Sequence, residues 1–257
     1  MTPVVILAGG MGTRIREENS MLPKPMVAIG GRPIIWHIMK IFDHFGYRRF
    51  TVPVGYNGHV IKEYFLGYRD RYADFSVDLA DGAVARHVDA SEPWKVTVVD
   101  TGPTTMTGGR IKRLSEYLDG RFIVTYGDGV ANINVHELVR FHERHGRLAT
   151  VTAVRPPARF RAMELVDDRV TSFAEKPQTA AGWINGGFFV FEQSVLDYID
   201  GDGTQLEHEP LERLAAEGEL MAFRHAGYWE PMDTQRDLDS LNRQWASGEA
   251  PWKVWVD

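Results

Sequence analysis

The sequence predicts an α/β fold built on a doubly wound, mixed but mainly parallel sheet flanked by helices, and three observations predict it. The chain opens on a short apolar run, Val4 to Leu7, that ends in Ala8-Gly9-Gly10. An apolar run of this length bounded by glycine reads as a buried strand. Strand-like and helix-like stretches then alternate, the pattern of parallel strands joined by helical crossovers. Past residue 154 the pattern shifts to short extended stretches around Asp167-Asp168, which predicts a small β-rich subregion.

Each element has its own signal. Arg32-Pro33 opens the first helix with proline at its favoured first-turn position. Ile34, Ile35, Ile38, Ile41, Phe42 and Phe45 follow at helical spacing, and Gly46 ends it. Residues 50–54 form a strand, and Asn57 caps a helix carrying Val60, Ile61, Tyr64 and Phe65. Residues 75–79 and 95–99 read as further strands, with the polar stretch 80–93 looping out between them. Thr107-Gly108-Gly109-Arg110 leads into a helix through Leu118, and strand 121–125 runs into Tyr126-Gly127-Asp128-Gly129. Asn134 caps a helix to His145, 148–154 is a strand, and 162–173 a hairpin. Residues 188–191 form an apolar strand, 207–217 a short helix, and 221–223 and 228–229 are extended. Thr234 caps a last helix to Trp245, and two tryptophans sit in the tail from Pro251. Without repeats or linkers, 1–257 reads as one domain, one half to about residue 150 and a second from 151 through the C-terminal helix.

Composition narrows the function. Hydrophobic residues make up 44%, enough for a sizeable core. The net charge of −6 argues against nucleic-acid and anionic-membrane binding. With no cysteine there is neither a disulfide nor a thiolate metal site. The chain enters a strand at once, without a basic leader, and no run approaches the ~20 apolar residues of a membrane span. These features predict a soluble, cytoplasmic protein.

The glycine loop is the first candidate site. Gly9, Gly10 and Gly12 leave bare backbone that can turn sharply and present N–H groups to a polyphosphate. Thr13 adds a hydroxyl, and Arg14 a fork of donors suited to phosphate. Lys24, stiffened between Pro23 and Pro25, is a point charge held in one place. Together they describe a nucleoside-triphosphate site. The P-loop pattern is absent, and G-x-G-x-x-G fails at Ile15. Without Lys24 the glycines would read as a tight β–α turn.

Two carboxylates stand out. Asp128 follows an apolar strand between two glycines, where open α/β sheets bind ligands; an Asp-Gly turn is the alternative. Asp233, in Trp229-Glu230-Pro231-Met232-Asp233-Thr234, is a metal ligand or a helix cap. Two such carboxylates suit Mg²⁺, which takes one or two carboxylates with phosphate oxygens and water. Arg110 and Lys112 hold phosphate or are solvated. Lys176, after Glu175 and before Pro177, is another stiffened lysine or a hairpin-edge one. Asn185-Gly186-Gly187 admits a sugar or forms a turn. His142 and His145 share a helix face without a third ligand, which predicts solvated side chains. No serine has a recognisable base partner, and phosphoryl-type transfer between bound anions needs no protein nucleophile.

These motifs resemble the sugar-phosphate nucleotidyltransferases, and among them the cytidylyltransferases that act on glucose 1-phosphate. The resemblance rests on L-A-G-G-M-G-T-R with P-K-P, on 31–40, 98–102 and 106–110, on Tyr126 to Val130 and Glu175-Lys176-Pro177, and on 184–190 and 229–234; it runs from Val4 to Trp255. It implies the Rossmann-like nucleotide-diphospho-sugar transferase fold, a homo-oligomer, and transfer from CTP to a sugar 1-phosphate with release of pyrophosphate. By motif match Leu7, Ala8, Gly9, Gly10, Met11, Gly12, Thr13, Arg14 and Lys24 hold the triphosphate and base, and Thr105, Arg110 and Gly127 complete that pocket. Asp128 and Asp233 bind Mg²⁺; Arg14, Lys24 and Asp128 are catalytic; Glu175, Lys176, Asn185 and Gly186 face the acceptor. One position departs: where the family reads R-F-G-A-L, this chain has Arg161 in place of the pocket glycine. Either its side chain points away, or the acceptor is another phosphorylated sugar or polyol, which an arginine beside the pocket would suit. A non-catalytic nucleotide-sugar sensor on the same fold is the other alternative.

Overall fold

The computed structural model describes residues 2–10, 22–88, 91–156, 161–166, 169–175 and 182–256, with the backbone alone for 161–175. In chain order the strands are β1 (Val4–Leu7), β2 (Ala28–Ile29), β3 (Arg32–Pro33), β4 (Arg49–Val54), β5 (Phe75–Val77), β6 (Val84–Arg86), β7 (Lys95–Asp100), β8 (Phe122–Tyr126), β9 (Gly129–Ala131), β10 (Ala149–Val154), β11 (Arg161–Val166), β12 (Arg169–Glu175), β13 (Ile184–Phe191), β14 (Leu220–His225) and β15 (Trp229–Pro231). The helices are α1 (Ile34–His44), α2 (Gly58–Leu66), α3 (Tyr68–Tyr72), α4 (Thr107–Lys112), α5 (Val135–His145), α6 (Glu209–Ala216) and α7 (Gln235–Ala246).

Seven strands form one sheet in the order β14-β10-β13-β8-β1-β4-β7. Every neighbouring pair is parallel except the two made by β13, which runs antiparallel to β8 and β10. The sheet is therefore mixed and mainly parallel, as the alternation of elements predicts. Helices cover both faces, so β1 is buried on both. Its side chains alternate between two cores: Val4 and Ile6 pack with α1 and α2, Val5 and Leu7 with Ile111, Leu114 and Phe122.

Several local readings change. Pro33 is the cap of α1 with ψ 148°, one residue outside the helix, because Arg32–Pro33 pairs with Ala28–Ile29 around Gly30 and Gly31, both at positive φ. The helix from Thr107 stops at Lys112, and a short 3₁₀ turn, Ser115–Tyr117, follows. Part of the expected loop forms β6, which pairs with β5 as a separate exposed hairpin rather than joining the main sheet. The Asn185-Gly186-Gly187 stretch lies inside β13, beside a register shift opposite Val151 and Ala153. Asn134 and Thr234 cap α5 and α7 as expected, Thr234 through a full capping box with Asp237. The tail tryptophans Trp252 and Trp255 are buried against α1, where Trp36, His37 and Trp245 complete an aromatic cluster. His37 bonds the Ile29 carbonyl at 2.9 Å, and burial holds its pKa down at about 4.

Candidate active site

The parallel strands β1, β4, β7 and β8 end on the same edge of the sheet. Beyond those ends lies a cavity of about 670 Å³. Leu7, Ala8, Gly9, Gly10, Lys24, Thr105, Arg110, Gly127, Asp128, Asn185, Gly186 and Asp233 all line it. Met11, Gly12, Thr13, Arg14 and Lys176 lie outside the described residues. Arg161 and Glu175 are cross-strand partners at the open ends of β11 and β12.

A small ribbon joins the two aspartates. β8 ends in the turn Gly127-Asp128, and β9 then pairs antiparallel with β15, Gly129 opposite Pro231. Met232 N–H donates to the Asp128 carbonyl at 2.7 Å, which places Asp233 beside Asp128. Only glycine fits at 127: a Cβ there would lie 2.7 Å from both the Leu7 carbonyl and the Pro25 ring. That close approach presses the turn against Lys24–Met26, a 3₁₀ turn entered through proline. Lys24 Nζ then donates to Asp128 Oδ2 at 3.1 Å and to Asp233 Oδ1 at 2.8 Å. Burial pulls the Lys24 ammonium down, but the two carboxylates outweigh it and hold its pKa above the ordinary value. Burial raises the Asp128 carboxyl, Lys24 opposes that rise, and Asp233 adds to it.

This cluster fits a divalent cation. Both carboxylates already converge on one cationic atom, the ammonium of Lys24, which stands where a cation is wanted. Among the described residues no third carboxylate or histidine joins them to make a closed protein cage. A pair of carboxylates facing an open cavity is the donor set Mg²⁺ uses when phosphates and water complete its shell.

Arg110 has a task that neither phosphate contact nor solvation anticipates. Its side chain is buried, and NH1 donates to the Val54 carbonyl (3.2 Å), Thr101 Oγ1 (2.7 Å) and the Gly102 carbonyl (2.9 Å). NH2 donates to the Gly9 carbonyl at 2.8 Å. One guanidinium thus ties together the exits of β1, β4 and β7. Glycine at 9 and 55 makes room: a Cβ at either would fall 2.2 and 2.5 Å from that guanidinium. Lys112 is likewise engaged, donating to the Leu196 carbonyl at 2.7 Å.

On the opposite wall, Asn185 Nδ2 donates to the Tyr126 hydroxyl at 3.2 Å and its Oδ1 accepts from Gly187 N–H at 2.8 Å. Tyr126 donates to Glu207 Oε1 at 2.5 Å, and Trp229 Nε1 to the Gly186 carbonyl at 2.8 Å. Burial, then the Glu207 charge, push the Tyr126 phenol far above its ordinary pKa. The sequence reading missed Tyr126, Glu207 and Trp229 as side chains around the cavity. Tyr126 was accessible, since it precedes Gly127-Asp128-Gly129; Glu207 carries no local signal.

The histidines are not solvated. His142 is 1% exposed, and a chain of bonds fixes its proton. Arg147 N–H donates to His145 Nδ1 (2.9 Å), so His145 donates from Nε2 to Thr150 Oγ1 (2.7 Å). The Thr150 proton then goes to His142 Nδ1 (2.8 Å), and His142 Nε2 donates to Glu192 Oε1 (3.1 Å), which also accepts Arg121 Nε–H at 2.8 Å. Both imidazoles are neutral in this arrangement.

Comparison with known proteins follows the same lines. The Nucleotidyl transferase family model matches residues 3–247. Glucose-1-phosphate cytidylyltransferase of Salmonella typhi is 51% identical over 253 residues, 98% of either chain. The probable glucose-1-phosphate cytidylyltransferase of Bacillus subtilis (strain 168) is 44% identical over 98% of this chain and 99% of that one. Two solved structures share the fold. HddC from Yersinia pseudotuberculosis has TM-score 0.70 at 23% identity, covering 95% of this chain and 100% of the other. The inositol-1-phosphate CTP transferase of T. maritima has TM-score 0.69 at 15% identity, covering 100% and 98%. With a family model matched almost from end to end and relatives matched along their whole length, this chain belongs to the nucleotidyl transferase family, in the group of the sugar-1-phosphate cytidylyltransferases.

Proposed function

We propose that this chain transfers the cytidylyl group of CTP to glucose 1-phosphate, giving CDP-glucose and pyrophosphate. The observation that carries this reading is the Lys24–Asp128–Asp233 cluster, set at the mouth of the parallel strands in a cavity large enough for a nucleotide and a sugar. Its support from outside the site is the 51% identity with a glucose-1-phosphate cytidylyltransferase. The family generally uses a divalent metal ion; we assign Mg²⁺, held by Asp128 and Asp233. When bound, that ion neutralises charge on the triphosphate and the departing pyrophosphate. The protein's own part is placement. Gly9 and Gly10 offer backbone to the phosphates, Lys24 supplies a fixed positive charge, and Asn185 and Gly186 border the acceptor. An oxygen of the sugar phosphate attacks the α-phosphorus in line, so no protein nucleophile is required. Arg14 and Lys176 would add charge to the triphosphate and the sugar phosphate. We also read the protein as a cytoplasmic homo-oligomer in one catalytic domain, its nucleotide half ending near residue 150.

Pyrophosphate release tests this, measured with CTP, UTP and GTP against a panel of phosphorylated sugars and polyols. The expected result is turnover with CTP and glucose 1-phosphate above every other pair. Preference for a different acceptor would favour the alternative raised by Arg161, and R161G should then shift the preference toward glucose 1-phosphate. No nucleotide consumption with any acceptor would overturn the assignment.

A further inference from the structure

Glu207, just ahead of α6, is not one of the residues lining the cavity, yet each of its carboxylate oxygens takes hold of one wall. Oε2 accepts the hydroxyl proton of Thr107 at 2.6 Å, at the start of α4 on the nucleotide side. Oε1 accepts the hydroxyl proton of Tyr126 at 2.5 Å, on the acceptor side. A carboxylate only accepts, so both protons must point toward it. That choice sets every bond beyond. Thr107 Oγ1 is left to accept Leu206 N–H at 2.9 Å, and the Tyr126 oxygen to accept the Asn185 amide at 3.2 Å. Asn185 then turns Oδ1 to Gly187 N–H at 2.8 Å, and flipping the amide would lose both of its bonds.

The backbone that carries Glu207 is held without it. Met106 N–H donates to the Asp202 carbonyl at 2.8 Å and Gly109 N–H to the Thr204 carbonyl at 3.1 Å. A Cβ at Gly109 or Gly108 would stand 2.6 and 2.8 Å from the Asp202 and Thr204 backbone, so the segment lies flush on α4. The carboxylate is therefore not what docks this segment; its two short bonds join α4 to the end of β8.

We infer that Glu207 is a positioning residue that keeps the acceptor wall, Tyr126 and Asn185, in register with the nucleotide wall at Thr107. It acts on the sugar 1-phosphate through Tyr126 and Asn185 without touching it. This rests on the cytidylyl-transfer reading. Misplacement of one reactant by a fraction of an ångström lowers turnover and acceptor affinity while leaving the other reactant's binding alone.

The test is steady-state kinetics in both substrates, with thermal melting, for wild type, E207A, E207Q and Y126F. E207A should raise KM for glucose 1-phosphate and lower kcat by about tenfold each, keep KM for CTP within about twofold, and melt near wild type. E207Q should recover most of the loss, since its amide oxygen still accepts from Tyr126 and its nitrogen can donate to Thr107. Y126F, which cuts the chain between Glu207 and Asn185, should repeat the E207A pattern. An E207A or Y126F enzyme with wild-type constants overturns the inference, and so does a loss spread equally over both KM values and the melt. If E207A does not fold, Y126F against E207Q decides by the same criteria. Wild type that turns over no sugar 1-phosphate removes the function reading and this inference together; active wild type with unaffected variants removes this inference alone.

Discussion

Two charged clusters sit at opposite ends of β8. Arg121, just before the strand, belongs to the network through Glu192, His142, Thr150 and His145. Asp128, just after it, belongs to the cluster with Lys24 and Asp233. In the first, each donor has its acceptor, and the buried histidine at its centre is 1% exposed. In the second, one ammonium is shared by two carboxylates whose side chains are 32% and 30% exposed. Among the described residues, that cluster sets two carboxylates around one ammonium at the edge of a cavity. A closed set of partners is what folding requires of buried polar groups. A pair of carboxylates converging at a cavity edge is the donor set a divalent cation takes when phosphates and water complete its shell. The two ends of one strand thus separate a closed buried network from a cluster that faces a cavity.

Substitutions should keep that separation. The largest effect is expected for D128N, a loss of turnover on the order of a thousandfold, comparable with removing one preorganised charge from a transition state. Its melting temperature should hold or rise, because one of two like charges has gone; a large drop would move Asp128 to the structural class. K24M should follow at about a hundredfold in kcat/KM. It should also melt lower than wild type, since both carboxylates lose the Lys24 ammonium. Removing divalent metal with a chelator should abolish pyrophosphate release while leaving the melt of the ligand-free chain unchanged. At the other end, H142A should cost about 1–3 kcal/mol in denaturant unfolding, because Thr150 and Glu192 lose a partner. Turnover should stay within about twofold; a larger loss would mean the two ends are coupled.

The smallest effect is in pH. Burial holds the His142 pKa below its ordinary 6.5, as does burial with the His142 charge for His145. An unfolded chain therefore binds more protons than the native one as pH falls below 6.5. Native stability is full above that pH and declines beneath it. His37, with its pKa near 4, acts in the same direction, so the contribution must be read as a difference. H142Q should unfold with a shallower loss between neutral and acid pH than wild type. Equal slopes would show that His142 keeps an ordinary proton affinity.

The side of the cavity formed by β1, Lys24 and Asp128 was largely legible in the sequence because its signals are local. Val4 to Leu7 is apolar without interruption, Lys24 stands between prolines, and Asp128 between glycines. What joins them is not local. Asp233 comes beside Asp128 through the β9–β15 ribbon, which the short extended stretch read at 228–229 did not announce. The structural bonds of Arg110 were not legible because three of its four acceptors are backbone carbonyls from three separate strand exits, and a carbonyl has no sequence. Gly55 and Gly9 are glycine for the sake of that same guanidinium. Asn185-Gly186-Gly187 read as a sugar-admitting stretch or a turn; it lies within β13, where Cβ atoms at Gly187 and Gly186 would fall 2.4 and 2.6 Å from the Tyr126 and Val154 side chains. His142 read as solvated because a helix face looks outward until β10 is laid against it.

The central claim is that Asp128 and Asp233 together hold the divalent ion on which the nucleotide is positioned. Mn²⁺ binding in the presence of CTP, followed by electron paramagnetic resonance on wild type, D128N and D233N, tests it most directly. The account predicts a CTP-dependent bound Mn²⁺ signal in wild type that is lost in each single variant. Undiminished Mn²⁺ binding in both variants would contradict it.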